Sequence, residues 1–267
     1  MTSLIVLGSG SKGNAFALIH QGTMLLLDAG FSLKELDRRL QAAGLSDTPL
    51  AGIAITHEHG DHASAAVALA RRHSAPLIAS FGTWRALAGG DDPCDFLPVS
   101  SRGNVTVGAF TLTACPTSHD AAEPIALGIT LPHGLSIGVA YDLGRPTQAI
   151  RWFLRERHCL VLEANHDEVL LRTSKYPPVV QQRIAGPGGH LSNDDAARLL
   201  EEVHSSNLEA VVLCHVSQRC NSAEAARAAV APGLAARGFR GMLVVAEQMG
   251  PMAPLRIAGP AQASLFV

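Results

Sequence analysis

Residues 51–62 read AGIAITHEHGDH, and no other stretch limits the fold as tightly. Residues 51–55 are small or apolar and have the length of a buried strand. They run straight into His57, His59, Asp61 and His62. A buried strand ending in such a turn must deliver these side chains to the rim of a sheet. Protonated imidazoles packed this closely would repel one another. A divalent cation removes that conflict, because it binds neutral imidazole and ionised carboxylate together. The HxHxDH spacing is too specific for a solvated polar loop, so it predicts a metal site at a sheet edge.

Apolar runs of strand length recur at 3–7, 15–19, 24–28, 51–55, 76–79, 104–107, 110–115, 125–131, 135–141, 159–163, 209–214 and 241–246. Helical patterns fall at 32–44, 62–74, 145–157, 192–206 and 222–238, the last with an expected break at Pro232. Ser32 reads as an N-cap, and Ser192 with Asp195 as a capping box. Strands come first as hairpins and then alternate with helices, which is a mixed α/β pattern. Each half runs strands and then helices, which hints at a weak duplication. The segment 174–180 reads as a surface excursion.

The chain also opens with a false fingerprint. Gly8, Gly10 and Gly13 spell GxGxxG after an apolar run, with Asp28 twenty positions on. A dinucleotide-binding turn requires a helix to open there. Instead, residues 15–20 and 24–28 are two short apolar runs joined by a Gly-containing turn, which is a hairpin signal. The Rossmann reading is rejected.

Composition narrows the class. The chain has 267 residues, 47% hydrophobic and 16% charged, with a net charge of -2, so one domain spanning 1–267 is expected. No global positive field draws in nucleic acid, so any such contact needs local basic groups. Candidates are Lys12, Arg172, Lys175, Arg183 and Arg219. Aromatics at 4% argue against extensive base stacking. Five scattered cysteines argue against a disulfide framework. No apolar run reaches membrane-spanning length, so a soluble cytoplasmic protein is expected, with no membrane partner and an open oligomeric state.

THEHGDH resembles the HxHxDH signature of the metallo-β-lactamase superfamily. The resemblance implies α/β architecture as a four-layer αββα sandwich, with the metal site at one edge of two sheets. It also implies three further ligands at strand ends, found as His119, Asp142 and His215. On that pattern His57, His59 and His119 hold one ion, Asp61, His62 and His215 a second, and Asp142 bridges them. The closer likeness is to the YycJ/WalJ/VicX-type branch and covers nearly the whole chain. It rests on Ser9-Gly10-Ser11-Lys12-Gly13-Asn14, on Glu163, Asn165, His166 and Asp167, on Gly189 to Asn193, and on His215, Ser217 and Asn221. The likeness places the glycine loop at the rim of the site, with Ser11, Lys12 and Asn14 holding substrate. Asp28, Glu163 and His166 are expected to support the ligands, with a buried Arg as the other possible partner of Glu163.

Two divalent ions (zinc, manganese or iron) suit in-line displacement at phosphorus, with a shared water deprotonated near neutral pH. Asp61 and Asp142 are expected to orient that water. His190 is the candidate proton donor to the leaving oxygen and a candidate substrate contact. The expected function is a nucleic-acid phosphodiesterase, DNA exonuclease-like. The alternative is a hydrolase of a small ester, thioester or lactam, since one fold serves both. A binding protein that has lost catalysis fits poorly with an intact ligand set.

Overall fold

The structure is a computed structural model that describes residues 1–89 and 94–259; residues 90–93 and 260–267 of the expected 1–267 domain lie outside the described residues. The first half builds one sheet. β1 (Thr2–Gly8), β2 (Ala15–His20) and β3 (Thr23–Leu27) form an antiparallel meander. β4 (Leu50–Ala54), β5 (Leu77–Ala79) and β6 (Phe96–Pro98) then add in parallel. The second half repeats this plan. β7 (Val105–Val107), β8 (Phe110–Pro116), β9 (Ile125–Thr130) and β10 (Ser136–Ala140) run antiparallel. β11 (Cys159–Glu163), β12 (Ala210–Cys214) and β13 (Met242–Val245) follow in parallel. β14 (Leu255–Ile257) returns to pair with β1. Each sheet has seven strands among the described residues.

Helices cover the outer faces. α1 (Leu33–Ala42), α2 (Gly60–Ala63), α3 (Ala66–His73) and α4 (Phe81–Ala88) belong to the first half. α5 (Gln148–Leu154), α6 (Glu168–Arg172), α7 (Pro178–Ile184), α8 (Asn193–Val203) and α9 (Ala223–Ala236) belong to the second. Alternation along each strand sorts the apolar side chains. Phe16 and Leu18 of β2 meet Val212 and Cys214 of β12 in the core between the sheets. Val211 and Leu213 point the other way, to Leu199 and Leu200 of α8. Ile53 of β4 packs outward against Leu36 of α1 and Leu69 of α3. Strands buried on both faces read as continuous apolar runs, which is why most were visible in the sequence. The result is the αββα sandwich.

Several elements depart from expectation. The helix expected over 62–74 is two, α2 and α3, separated at Ser64 and Ala65. The excursion at 174–180 contains the start of α7. The expected break at Pro232 is absent, since α9 runs through it. Pro232 and Ala228, whose carbonyl loses its helical partner, are both exposed, so water can satisfy that oxygen. The glycine run after β1 leads into the β2–β3 hairpin and not into a helix.

The duplication places the chemistry. β3 and β10 occupy matching positions in the two halves. Asp28-Ala29-Gly30 follows β3, and Asp142-Leu143-Gly144 follows β10. Both aspartates adopt a left-handed backbone, φ 55° and 54°. Both glycines are sterically required: a Cβ on Gly30 would stand 1.7 Å from Asp61 O, and one on Gly144 2.2 Å from Pro187 O. His57 and His215 follow β4 and β12, and Glu163 ends β11. All these side chains gather at the carboxyl ends of the parallel strands, where open α/β sheets bind ligands.

Candidate metal centre

Four groups of donors converge at this edge: His57, His59 and His119; His57, His62 and Asp142; Asp61, His62 and His215; and Asp142, Glu163, His190 and His215. Asp142 belongs to two of them and stands between the others. Its Oδ2 lies 2.8 Å from His62 Nε2 and 3.7 Å from His57 Nε2. Its Oδ1 lies 3.0 Å from His190 Nδ1, 3.1 Å from His215 Nδ1 and 4.0 Å from His119 Nε2. Asp61 Oδ2 is 3.6 Å from both His62 Nε2 and His215 Nε2.

Hydrogen bonds on the far side of each ring decide which nitrogen faces inward. Asp28 accepts from Thr56 N (2.8 Å), from the Thr56 hydroxyl (2.9 Å) and from His62 Nδ1 (2.6 Å). The Thr56 oxygen then accepts from His57 Nδ1 at 3.1 Å. His119 Nδ1 donates to Gly189 O at 3.2 Å. His215 Nδ1 donates to Glu163 Oε1 at 2.9 Å. The Nε2 atoms of His57, His119 and His215 are therefore the ones left facing inward to bind an ion. His57 Nε2 and His119 Nε2 lie 3.1 and 3.3 Å from His59 Nδ1. Three ring nitrogens gathered this closely are placed to share one cation. His215 Nε2 is buried without a hydrogen-bond partner. The donor set of imidazole and carboxylate therefore fits divalent cations.

Electrostatics agree. Burial, reinforced by the neighbouring His62, holds His57 well below its ordinary pKa, as a ligand needs. Burial also lowers His119. Burial disfavours charge on His62 too, but Asp142 and Asp28 outweigh it and raise this residue to about 10. Burial likewise opposes charge on His190, yet Glu163 and Asp142 raise it to about 9. Asp142 would be raised by burial, but His215 and His62 hold it well below the carboxylate range. Metal uptake at His62 Nε2 must then expel a proton. Apparent metal affinity is expected to climb from neutral pH toward pH 10, by about tenfold per pH unit for each proton displaced. Calorimetric titration in buffers of different ionisation enthalpy checks this; buffer-independent heats would contradict it.

The supporting residues sort clearly. Asp28 braces His62 and Thr56 as described. Glu163 pairs with two histidines and with backbone, not with a buried Arg. His166 is buried, and its carbonyl accepts from Asn193 N at the start of α8, but it joins none of the convergent donor groups. In the glycine loop, Ser11 and Lys12 are exposed. A substrate contact is closed to Asn14, which is fully buried. Its Oδ1 accepts from the Ser9 hydroxyl and Gly10 N, while its Nδ2 donates to Gly10 O and lies 3.2 Å from His62 Nε2. Asn14 therefore ties the loop to the metal cluster. Three residues have structural parts at the site that the sequence reading did not assign to them. Thr56 links His57 to Asp28, the Ser9 hydroxyl accepts from His215 N, and Gln248 clamps Lys12 N and Gly13 O. The Thr56 hydroxyl beside His57 was a usable signal. Gln248 acts across 236 residues of chain and gave none.

A family model described as beta-lactamase superfamily domain matches residues 23–216. An exodeoxyribonuclease YycJ from Bacillus anthracis is 33% identical over 237 residues, 88% of this chain and 89% of that protein. An exodeoxyribonuclease WalJ from Streptococcus pneumoniae is 30% identical over 226 residues, 83% of this chain and 84% of that protein. The crystal structure of the metallo-β-lactamase fold protein YhfI from Bacillus subtilis superposes with a TM-score of 0.69 at 16% identity, covering 93% of this chain and 98% of that one.

Proposed function

The chain belongs to the metallo-β-lactamase superfamily, within its YycJ/WalJ branch, and on that premise we propose that this metal-dependent hydrolase is a dinuclear phosphodiesterase that degrades DNA from an end. The observation that carries the reading is the pair of inward-facing donor groups joined by Asp142. His57, His59 and His119 would hold one ion. Asp61, His62 and His215 would hold the other, with Asp142 between them. When bound, two such cations would supply polarisation of a phosphoryl oxygen and an acidic water near neutral pH.

The chain's own residues do the rest. Asp142 and Asp61 would accept hydrogen bonds from a water at the centre and orient it. His190, raised to about 9, keeps its proton at neutral pH and offers it to the leaving oxygen. Glu163 Oε1 holds the donor ring at 2.8 Å. Lys12 and Arg219, both exposed, stand on segments that lead into or out of the site. Arg219 rests over the Tyr176 ring at 5.2 Å. The cavity that opens on His119 is lined by groups such as Thr117, Asp120 and Gln182. An enclosed apolar pocket would suit a small ester, thioester or lactam better. Among the described residues no helix is long and apolar enough to cross a membrane.

Incubation with manganese or zinc and end-labelled duplex DNA, beside a His59→Ala control, tests the reading. Metal-dependent shortening from one end, lost in the control, is the expected result. Turnover of a thioester or lactam with no cleavage of any nucleic acid would sink it.

A further inference from the structure

We propose that the cavity between the Thr117–Asp120 segment and the end of α7 is a second phosphate subsite for the nucleic-acid strand, with Arg183 as its cation. The proposal rests on the nuclease reading above. The cavity has a volume of about 630 Å³.

 It lies directly beside the candidate metal centre: His119 lines it together with Ser118, Asp120, Arg183 and Gly188. Its volume is within the range of small-ligand sites and is enough for about one nucleotide.

Its walls are fixed to the metal centre. The Ser118 hydroxyl donates to Pro187 O, and His119 Nδ1 donates to Gly189 O. His190 N donates to Ile184 O at 2.8 Å. A Cβ on Gly189 would stand 2.2 Å from both Arg183 O and Ile184 O, so only glycine allows the chain to turn back there. Ile184, next to Arg183 at the end of α7, and His190 are thus the two ends of one tight turn.

Arg183 itself is poorly satisfied. It is three-quarters exposed, and its ion pair is a 3.7 Å contact with Asp120, which is equally exposed. Two other surface arginines are bound closely, Arg38 to Glu35 and Arg198 to Asp195, both at 2.7 Å, while Arg237 is as loosely held at 3.9 Å from Glu201. A guanidinium left loosely paired in a cavity beside a phosphodiester-cleaving centre is suited to bidentate contact with a phosphate. A phosphate seated at His119 is the one being cleaved, so Arg183 reaches a neighbouring phosphate of the same strand. Asp120 competes for that cation and repels the strand.

The test compares duplex DNA with bis(p-nitrophenyl) phosphate, which carries one phosphate and offers Arg183 nothing. Arg183→Ala is expected to raise KM for DNA about tenfold and to reduce the salt slope by about one, with kcat nearly unchanged. The effect on the single-phosphate ester is expected to stay under about twofold, since no second phosphate is present. Asp120→Asn is expected to shift KM for DNA the opposite way. Equal changes on both substrates, or no change on DNA, would overturn the subsite alone. A wild-type protein that hydrolyses the small ester but no nucleic acid would remove the nuclease reading, and the subsite with it.

Discussion

Asp142→Asn is expected to cut hydrolysis by at least about a thousandfold, the scale of losing the cations' several kcal/mol of transition-state stabilisation. Asparagine is the informative replacement because residue 142 has φ 54°, a conformation that Asn tolerates and most side chains do not. The fold at this corner is therefore kept while the charge is removed. Asp142 faces five imidazoles, those of His57, His62, His119, His190 and His215. Without its charge the two donor groups lose their shared carboxylate, so metal content after reconstitution is expected to fall below that of the wild type. The metal-free protein should weaken as well, by about 3–5 kcal/mol, because buried protonated histidines lose a counter-charge. Elemental analysis and denaturant unfolding of the metal-free protein read the two effects separately. Full metal occupancy with activity within tenfold of wild type would refute the bridging role.

How much of this was legible in the sequence depended on whether a signal was local. His57, His59, Asp61 and His62 announced themselves by spacing, because a single turn carries all four. His119, Asp142 and His215 were weak one by one and became visible only through their order at strand ends. The structure adds a reason for Asp142: its Asp-Leu-Gly turn repeats the Asp-Ala-Gly turn at Asp28, each with a glycine pressed against another backbone. β6 (FLP) and β14 (LRI) were missed because each is three residues long and broken by a proline or an arginine, so neither forms an apolar run. Asn14 read as a loop residue open to substrate, since nothing nearby in the chain shows that Asp61 and His62 close over it. Glu163 was visible as a buried carboxylate at a strand end, but its partners were not. Burial demands a partner without naming it.

Those partners make Glu163→Ala the other large expected effect. Glu163 is fully buried. Oε1 accepts from His190 Nδ1 at 2.8 Å and His215 Nδ1 at 2.9 Å, and Oε2 from Leu143 N at 2.8 Å and Leu191 N at 3.0 Å. One carboxylate thus joins the turn after Asp142, the proposed proton donor, the end of β12 and the entry to α8. Alanine leaves Leu143 N and Leu191 N without an acceptor and His190 and His215 with Asp142 Oδ1 alone, at a cost of about 3–5 kcal/mol. His215 also loses the bond that turns its Nε2 inward, so metal affinity should fall about 10- to 100-fold. Gln is no remedy, because its amide group would put two more hydrogens against Leu143 N–H or the histidines. The pH dependence has a definite sign. Burial would raise Glu163, but His190 and His215 hold it at about 2, below its ordinary 4.5. A depressed carboxylate stabilises the fold above its unfolded pKa and loses that contribution as pH falls through the folded one. The stability gap between wild type and Glu163→Ala should therefore be full above pH 4.5 and close toward pH 2. A gap that is absent at neutral pH, or that widens on acidification, would mean that Glu163 does not hold these elements together.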